Sequence, residues 1–233
     1  MKIPRPAPKT QFFLMLLAAT GVSLLLFVAD ALHNNTTYFS YLIWNLFLAW
    51  LPLIFSFWLV SVLARKLWSS WEAMLASFLW LAFLPNSFYM VSDYIHLNEV
   101  SEYDLLFDAV MLTSFISVAV VLGVCSLYAV HQEVIKRFSK RTSSIWLAGT
   151  LLLCSFAIYL GRDLRWNSWD ILVNPGGLLF DTSDRFLHPA DYPEMFLTTG
   201  IFMLLISMFY GLGWFTVHML RTWPVDAPKN KRR

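Results

Sequence analysis

Residues 105–141 read LLFDAVMLTSFISVAVVLGVCSLYAVHQEVIKRFSKR, and up to residue 130 the only charged side chain is Asp108. A helix needs about 20 mostly apolar residues to cross the hydrocarbon core of a bilayer. This run exceeds that length and is followed at once by Lys136, Arg137, Lys140 and Arg141. An apolar run with a basic cluster at one end is expected to span a membrane, with the basic end in the cytoplasm.

Five further stretches meet the same criterion, at residues 11–31, 41–64, 71–91, 145–160 and 195–220. Composition agrees. The 233 residues are 58% apolar and 14% charged, whereas soluble domains are nearer half apolar and about a quarter charged. A soluble chain of this length could not hide so much apolar surface in one core. The 11 Trp fit a lipid environment too, because an indole ring suits the boundary between membrane and water. Cys125 and Cys154 both lie in apolar runs and lack the paired spacing of a zinc site or a disulfide framework.

The connecting segments orient the bundle. Lys2, Arg5 and Lys9 precede the first span, Arg65 and Lys66 follow the second, the 136–141 cluster follows the fourth, and Arg221, Lys229, Lys231, Arg232 and Arg233 follow the sixth. Only Arg162, Arg165 and Arg185 fall on the opposite side, where most of the acidic residues gather. This alternation predicts an all-α polytopic bundle of six transmembrane helices with both termini in the cytoplasm. Residues 1–10 and 222–233 form basic tails, residues 11–221 the membrane domain, and residues 162–194 the one sizeable outer loop. Ala29-Asp30-Ala31 resembles a signal-peptidase site, but the preceding run is long for a signal peptide, so a retained first span is expected.

The third span carries Phe83-Leu84-Pro85-Asn86-Ser87-Phe88-Tyr89-Met90-Val91-Ser92-Asp93-Tyr94-Ile95-His96-Leu97. Pro85 lacks an amide donor, which predicts a helix broken there, with Asn86 or Ser87 capping a second half. Such a break needs protein or a water-filled cavity around it, so an outward-facing polar cleft is expected. On a resumed helix Tyr89, Asp93 and His96 share a face. Asp104 and Asp108 stand one turn apart at the start of the fourth span, and an acid as deep as Asp108 needs an interior partner.

The outer end of the fifth span reads Gly161-Arg162-Asp163-Leu164-Arg165-Trp166-Asn167-Ser168-Trp169-Asp170. Arg162 and Arg165 oppose the charge rule, and a bond to Asp93 or Asp108, or to a bound anion, would account for them. Together with the third-span run, this stretch resembles a bacterial membrane family catalogued as domain of unknown function 1361. The resemblance extends over roughly residues 40–220 and implies a bacterial inner-membrane protein; it implies no activity.

Read as an enzyme, the outer face would use His96 as general acid or base oriented by Asp93, with Asp108 as a further catalytic carboxylate. Asn86, Tyr89, Arg162, Arg165, Asn167, Trp169 and Asp170 would bind a lipid or lipid-linked substrate, including an anionic headgroup. Read as a metal site, Asp93, His96, Asp104 and Asp108, with His188 within reach, offer hard ligation, although no sharp metal motif occurs. The rival class is a non-enzymatic scaffold, assembly factor or transporter accessory subunit. One break and no internal repeat argue against a stand-alone transporter. In the outer loop, Asn174-Pro175-Gly176-Gly177 reads as a turn, Leu178-Leu179-Phe180 as a stretch that dips into the interface, and the whole as a candidate lid. The partner expected throughout is the lipid bilayer. Nucleic acid is not needed to explain the basic loops, and the cofactor and oligomeric state are left open.

Overall fold

A computed structural model describes residues 8–99 and 105–222. Among them there is no strand. Six long helices carry the apolar runs: α1 (Pro8–His33), α2 (Tyr41–Leu63), α3 (Trp71–Tyr89), α4 (Leu105–Arg137), α5 (Lys140–Asp163) and, after two shorter helices, α8 (Pro193–Thr222). The shorter pair is α6 (Asp170–Val173) and α7 (Pro175–Leu187). Length and hydropathy make each of the six long helices a membrane span, so the chain is a multi-pass helical membrane bundle.

Local chemistry sets the starts. Ser70 precedes α3 and accepts from the Ala73 amide, and Ser139 precedes α5 and accepts from Thr142 at 3.2 Å. Each supplies an acceptor to a helix N-terminus that otherwise has unpaired donors.

Helix α4 is the axis of the bundle: 61% of its most apolar stretch is buried, against 17% for α1. Helices α1, α2, α3, α5 and α8 all pack around it. Gly123 allows a close approach, because a Cβ there would lie 2.7 Å from Ser87 Cβ and 2.8 Å from the Phe88 ring. Ser87 in turn donates to the Ala49 carbonyl at 3.1 Å, joining α3 to α2. Small residues where backbones come close are how membrane helices gain packing energy without a hydrophobic driving force. Side chains of α1 and α8 such as Met15, Leu25, Leu204 and Phe215 point away from the protein, as lipid-facing residues do.

The two ends of the bundle differ. At the basic end Glu133 holds both Lys136 and Arg137, and Arg137 donates to the Leu63 carbonyl at 2.9 Å, closing the last turn of α2. At the acidic end side-chain hydrogen bonds join α2 to the segment after α3, α3 to the turn after α5, and α7 to α5.

The third span departs from the expected break. Helix α3 continues through Pro85 to Tyr89, and Pro52 likewise sits inside α2. Asn86 starts no second half-helix; its side-chain amide donates back to the Phe83 carbonyl at 3.1 Å and across to Ser168 at 3.0 Å. Membrane helices tolerate proline where protein surrounds the gap in the backbone ladder, and Pro85 is buried. The change of geometry comes later, where residues Met90–Glu99 wind as a 3₁₀ helix. Ten residues is a long run for that form, which seldom exceeds three or four.

Candidate functional site

At the acidic end, α2, α3, the 3₁₀ segment, the end of α5 and the α6–α7 pair enclose a cleft of about 340 Å³. Its position follows from α3. The tighter winding has three residues per turn, so Asp93 and His96 stand one above the other. Both line the cleft, with Asn86 and Tyr89 from α3 below them. Across from these lie Asn45 and Trp44 of α2, and Trp166, Asn167 and Ser168 beyond α5.

Asp93 is 4% exposed and accepts from the Asn45 amide at 3.2 Å. His96 takes a different partner: its Nδ1 lies 3.4 Å from the Tyr38 hydroxyl, and its ring packs against Tyr38 and Tyr41. The expected orientation of His96 by Asp93 is therefore replaced by two separate pairings. Asn45 is the polar residue that sequence reasoning missed, although an amide inside an apolar span was a visible signal.

The chain beyond α5 reverses on Arg165, whose left-handed backbone (φ 59°) brings the Trp166 amide to the Leu160 carbonyl at 3.1 Å. Gly161 admits this fold, since a Cβ there would lie 3.3 Å from the Trp166 carbonyl and 3.6 Å from the Tyr89 ring. Asp170 accepts from the Asn167 amide nitrogen at 2.6 Å and so fastens the turn. Ser168, presented by that turn, accepts from Asn86 at 3.0 Å and joins the two motifs across the cleft. Trp169 meets the edge of Trp44, with ring centroids 6.5 Å apart.

Helix α7 roofs the cleft with Leu178, and Ile171 of α6 contributes beside it. Asn174-Pro175-Gly176-Gly177 is a helix start rather than a plain turn. Asn174 accepts from the Gly177 amide at 3.1 Å, and Pro175 occupies the first helical position. Arg185 docks α7 onto α5 by donating to the buried Tyr159 hydroxyl at 3.0 Å while lying over the Tyr192 ring. Trp166 donates to Asp181 at 2.9 Å on the same side. The opposite face shows Leu179, Phe180 and Leu187 to the surroundings, the amphipathic pattern of an interfacial helix. Asp184, outside the spans, has its carboxyl held below the usual carboxylate range, chiefly by the Tyr192 hydroxyl that donates to it at 2.6 Å and further by His188. The same contact raises the Tyr192 phenol.

Several expected participants are elsewhere. Arg162 and Arg165 are exposed, line no part of the cleft and pair with neither Asp93 nor Asp108. Asp108 is buried in α4 away from the cleft lining. Among the described residues no three His, Cys, Asp or Glu side chains come together to hold a metal, so Asp93, His96 and Asp108 form no such centre. Asp104 lies outside the described residues. His188 pairs with Asp184 at 3.1 Å.

A second polar feature, toward the basic end, was also missed. His131 is buried, 2.5 Å from the Tyr210 hydroxyl, and stacks on Trp146, which stacks on Trp80. Counting only fixed charges hid it.

Six apolar spans and a roofed polar cleft define an integral membrane protein of the helical-bundle class. The chain belongs to the family described as protein of unknown function DUF1361, whose sequence model matches residues 44–208. That interval contains both motifs of the cleft. No curated protein and no solved structure matches the chain.

Proposed function

We propose that this is a bacterial inner-membrane protein, with its basic end in the cytoplasm, whose outward cleft binds the polar end of a lipid or lipid-linked molecule. Arg65, Lys66, Lys136, Arg137 and Arg221 at one end of the described bundle support the orientation. The observation that carries the binding reading is Asp93, a buried carboxyl group with one amide partner in a cleft lined by aromatic rings and amides. A buried carboxyl has unused acceptor capacity and favours a ligand that donates to it. Among the described residues the cleft lining contains no Lys or Arg, so a hydroxyl- or amine-bearing head suits it better than a phosphate. A phosphate linkage would stay outside, beside Arg162 and Arg165, which flank the lining residues Gly161 and Trp166. His96 and Asp93 in one cleft also provide an imidazole and a carboxyl between which a bound hydroxyl can pass a proton.

The test is mass spectrometry of lipids that remain with protein purified in mild detergent. The wild type is expected to retain a lipid class that Asp93→Asn and Asn86→Leu lose, with both variants present in the membrane at wild-type amount. Identical lipid profiles in all three proteins would refute the reading.

A further inference from the structure

A second cavity, of about 200 Å³, opens between α4 and α8 toward the basic end. Its shape has a local cause. The two helices touch where a Cβ on Gly213 would lie 2.7 Å from the Val124 side chain, and the cavity opens on the basic side of that contact. Tyr128 and Trp214 close its deep end, with ring centroids 5.6 Å apart. Gln132 and Ile135 follow Tyr128 along one face of α4. Val217, His218 and Arg221 follow Trp214 along α8. The groove therefore runs from an aromatic deep end to Arg221 at its basic rim.

The cations around it are not equivalent. Lys136 and Arg137 are both committed to Glu133, and Arg137 also to the Leu63 carbonyl. Arg221 is exposed, lines the groove and makes no ion pair among the described residues.

We propose that this groove is a binding site for one anionic phospholipid of the leaflet at the basic end. The lipid phosphate sits against Arg221 and His218, level with Ile135, its glycerol backbone meets Gln132 and Val217, and its acyl chains leave the groove beside Tyr128 and Trp214 toward the bilayer centre. Charge complementarity selects this occupant over a second copy of the chain, because a twofold contact at the groove would bring two Arg221 side chains together. A basic pocket between helices at a membrane surface is a known way to hold an acidic headgroup. The site is separate from the cleft at the acidic end, and binding in one does not require the other.

Native mass spectrometry would test it, with the full chain released from nanodiscs of mixed phosphatidylglycerol and phosphatidylcholine. Both leaflets of such discs are alike, so the result is independent of orientation. The wild type is expected to keep one phosphatidylglycerol in preference to phosphatidylcholine. Arg221→Gln should reduce that preference about fivefold, the weight of one basic side chain at an anionic surface. Lys140→Gln removes an equal charge at the same end but outside the groove, and should leave the preference unchanged. An unchanged ratio in Arg221→Gln, an equal fall in both variants, or a wild-type dimer that Arg221→Gln disperses would each overturn the proposal.

Discussion

Asn45 of α2 donates to Asp93 at 3.2 Å, across the junction where α3 has become a 3₁₀ helix. This bond ties two spans together, and among the described residues it supplies the one amide donor held on a carboxyl with 4% exposure. Asn45→Leu should leave the carboxyl without its donor and cost about 1–3 kcal/mol of stability. Asn45→Leu combined with Asp93→Leu should recover part of that loss, since removing both partners leaves no orphaned polar group. Thermal unfolding in detergent would show whether the double variant melts above Asn45→Leu.

Helix packing at Gly123 gives a second expectation. Gly123→Ala places a methyl group 2.7 Å from Ser87 Cβ, which is fixed to its backbone, and 2.8 Å from the tip of the buried Phe88 ring. Overpacking of this kind costs about 1–3 kcal/mol. At Gly211 a Cβ would meet nothing within 4 Å, so alanine should be accepted there without loss. Equal melting temperatures for the two variants would contradict the packing described.

The roof can be released without touching the cleft floor. Arg185→Leu removes the donor to Tyr159 and the contact with Tyr192, so α7 should undock while the six spans remain. A cysteine replacing Ile171 should then react several times faster with a water-soluble maleimide than it does in the Arg185 parent. An unchanged labelling rate would mean that α7 is held by something other than Arg185.

Acid should loosen the same region. Asp184 is depressed in the folded protein, principally by Tyr192, so its contribution is present above the unfolded carboxylate value of about 4 and is lost as pH falls through the depressed one. Protection of the α7 amides, corrected for intrinsic exchange, should fall in that acidic window and be unaffected near neutrality. Tyr192→Phe should move the fall to higher pH; if it does not, the phenol is not what holds Asp184.

Arg165 separates conformation from chemistry. A non-glycine residue in the left-handed region carries strain of about 1–2 kcal/mol, so Arg165→Gly should keep the turn and change stability little. If the lipid retained by the cleft is nevertheless lost, the guanidinium acts on the ligand; retention would show that Arg165 serves only to reverse the chain.

Hydropathy made the six spans visible, and their ends fell short only where polar residues continue a helix beyond the hydrocarbon. Helix α4 runs on to Arg137 because His131, Glu133 and Arg137 find partners at the interface rather than ending the helix. The cleft was legible through Asn86, Tyr89, Asp93, His96 and Asn167, polar groups placed where burial is costly. For Arg162 and Arg165 charge alone did not name the partner. Of the two partners their breach of the charge rule suggests, a carboxylate or a bound anion, the carboxylate bond is not formed: both stay exposed and one is fixed by backbone conformation. The proline misled, because a missing donor is a local defect that a helix packed on all sides can carry without breaking, and Pro85 is buried inside α3. Helix α7 was masked by glycines that suggested a turn, although asparagine followed by proline is also a helix start.

The 3₁₀ winding of Met90–Glu99 makes this segment a screw. Successive residues advance by about 120° and 2.0 Å in this form, against about 100° and 1.5 Å in an α-helix. Rewinding the ten residues into α form would shorten the segment by about 5 Å and rotate His96 by about 120° relative to Met90, but Asp93 by only about 60°. Carboxyl and imidazole would then no longer point the same way. The pitch of this one segment thus gears the two titratable groups of the cleft to the distance between α3 and the acidic end of the bundle.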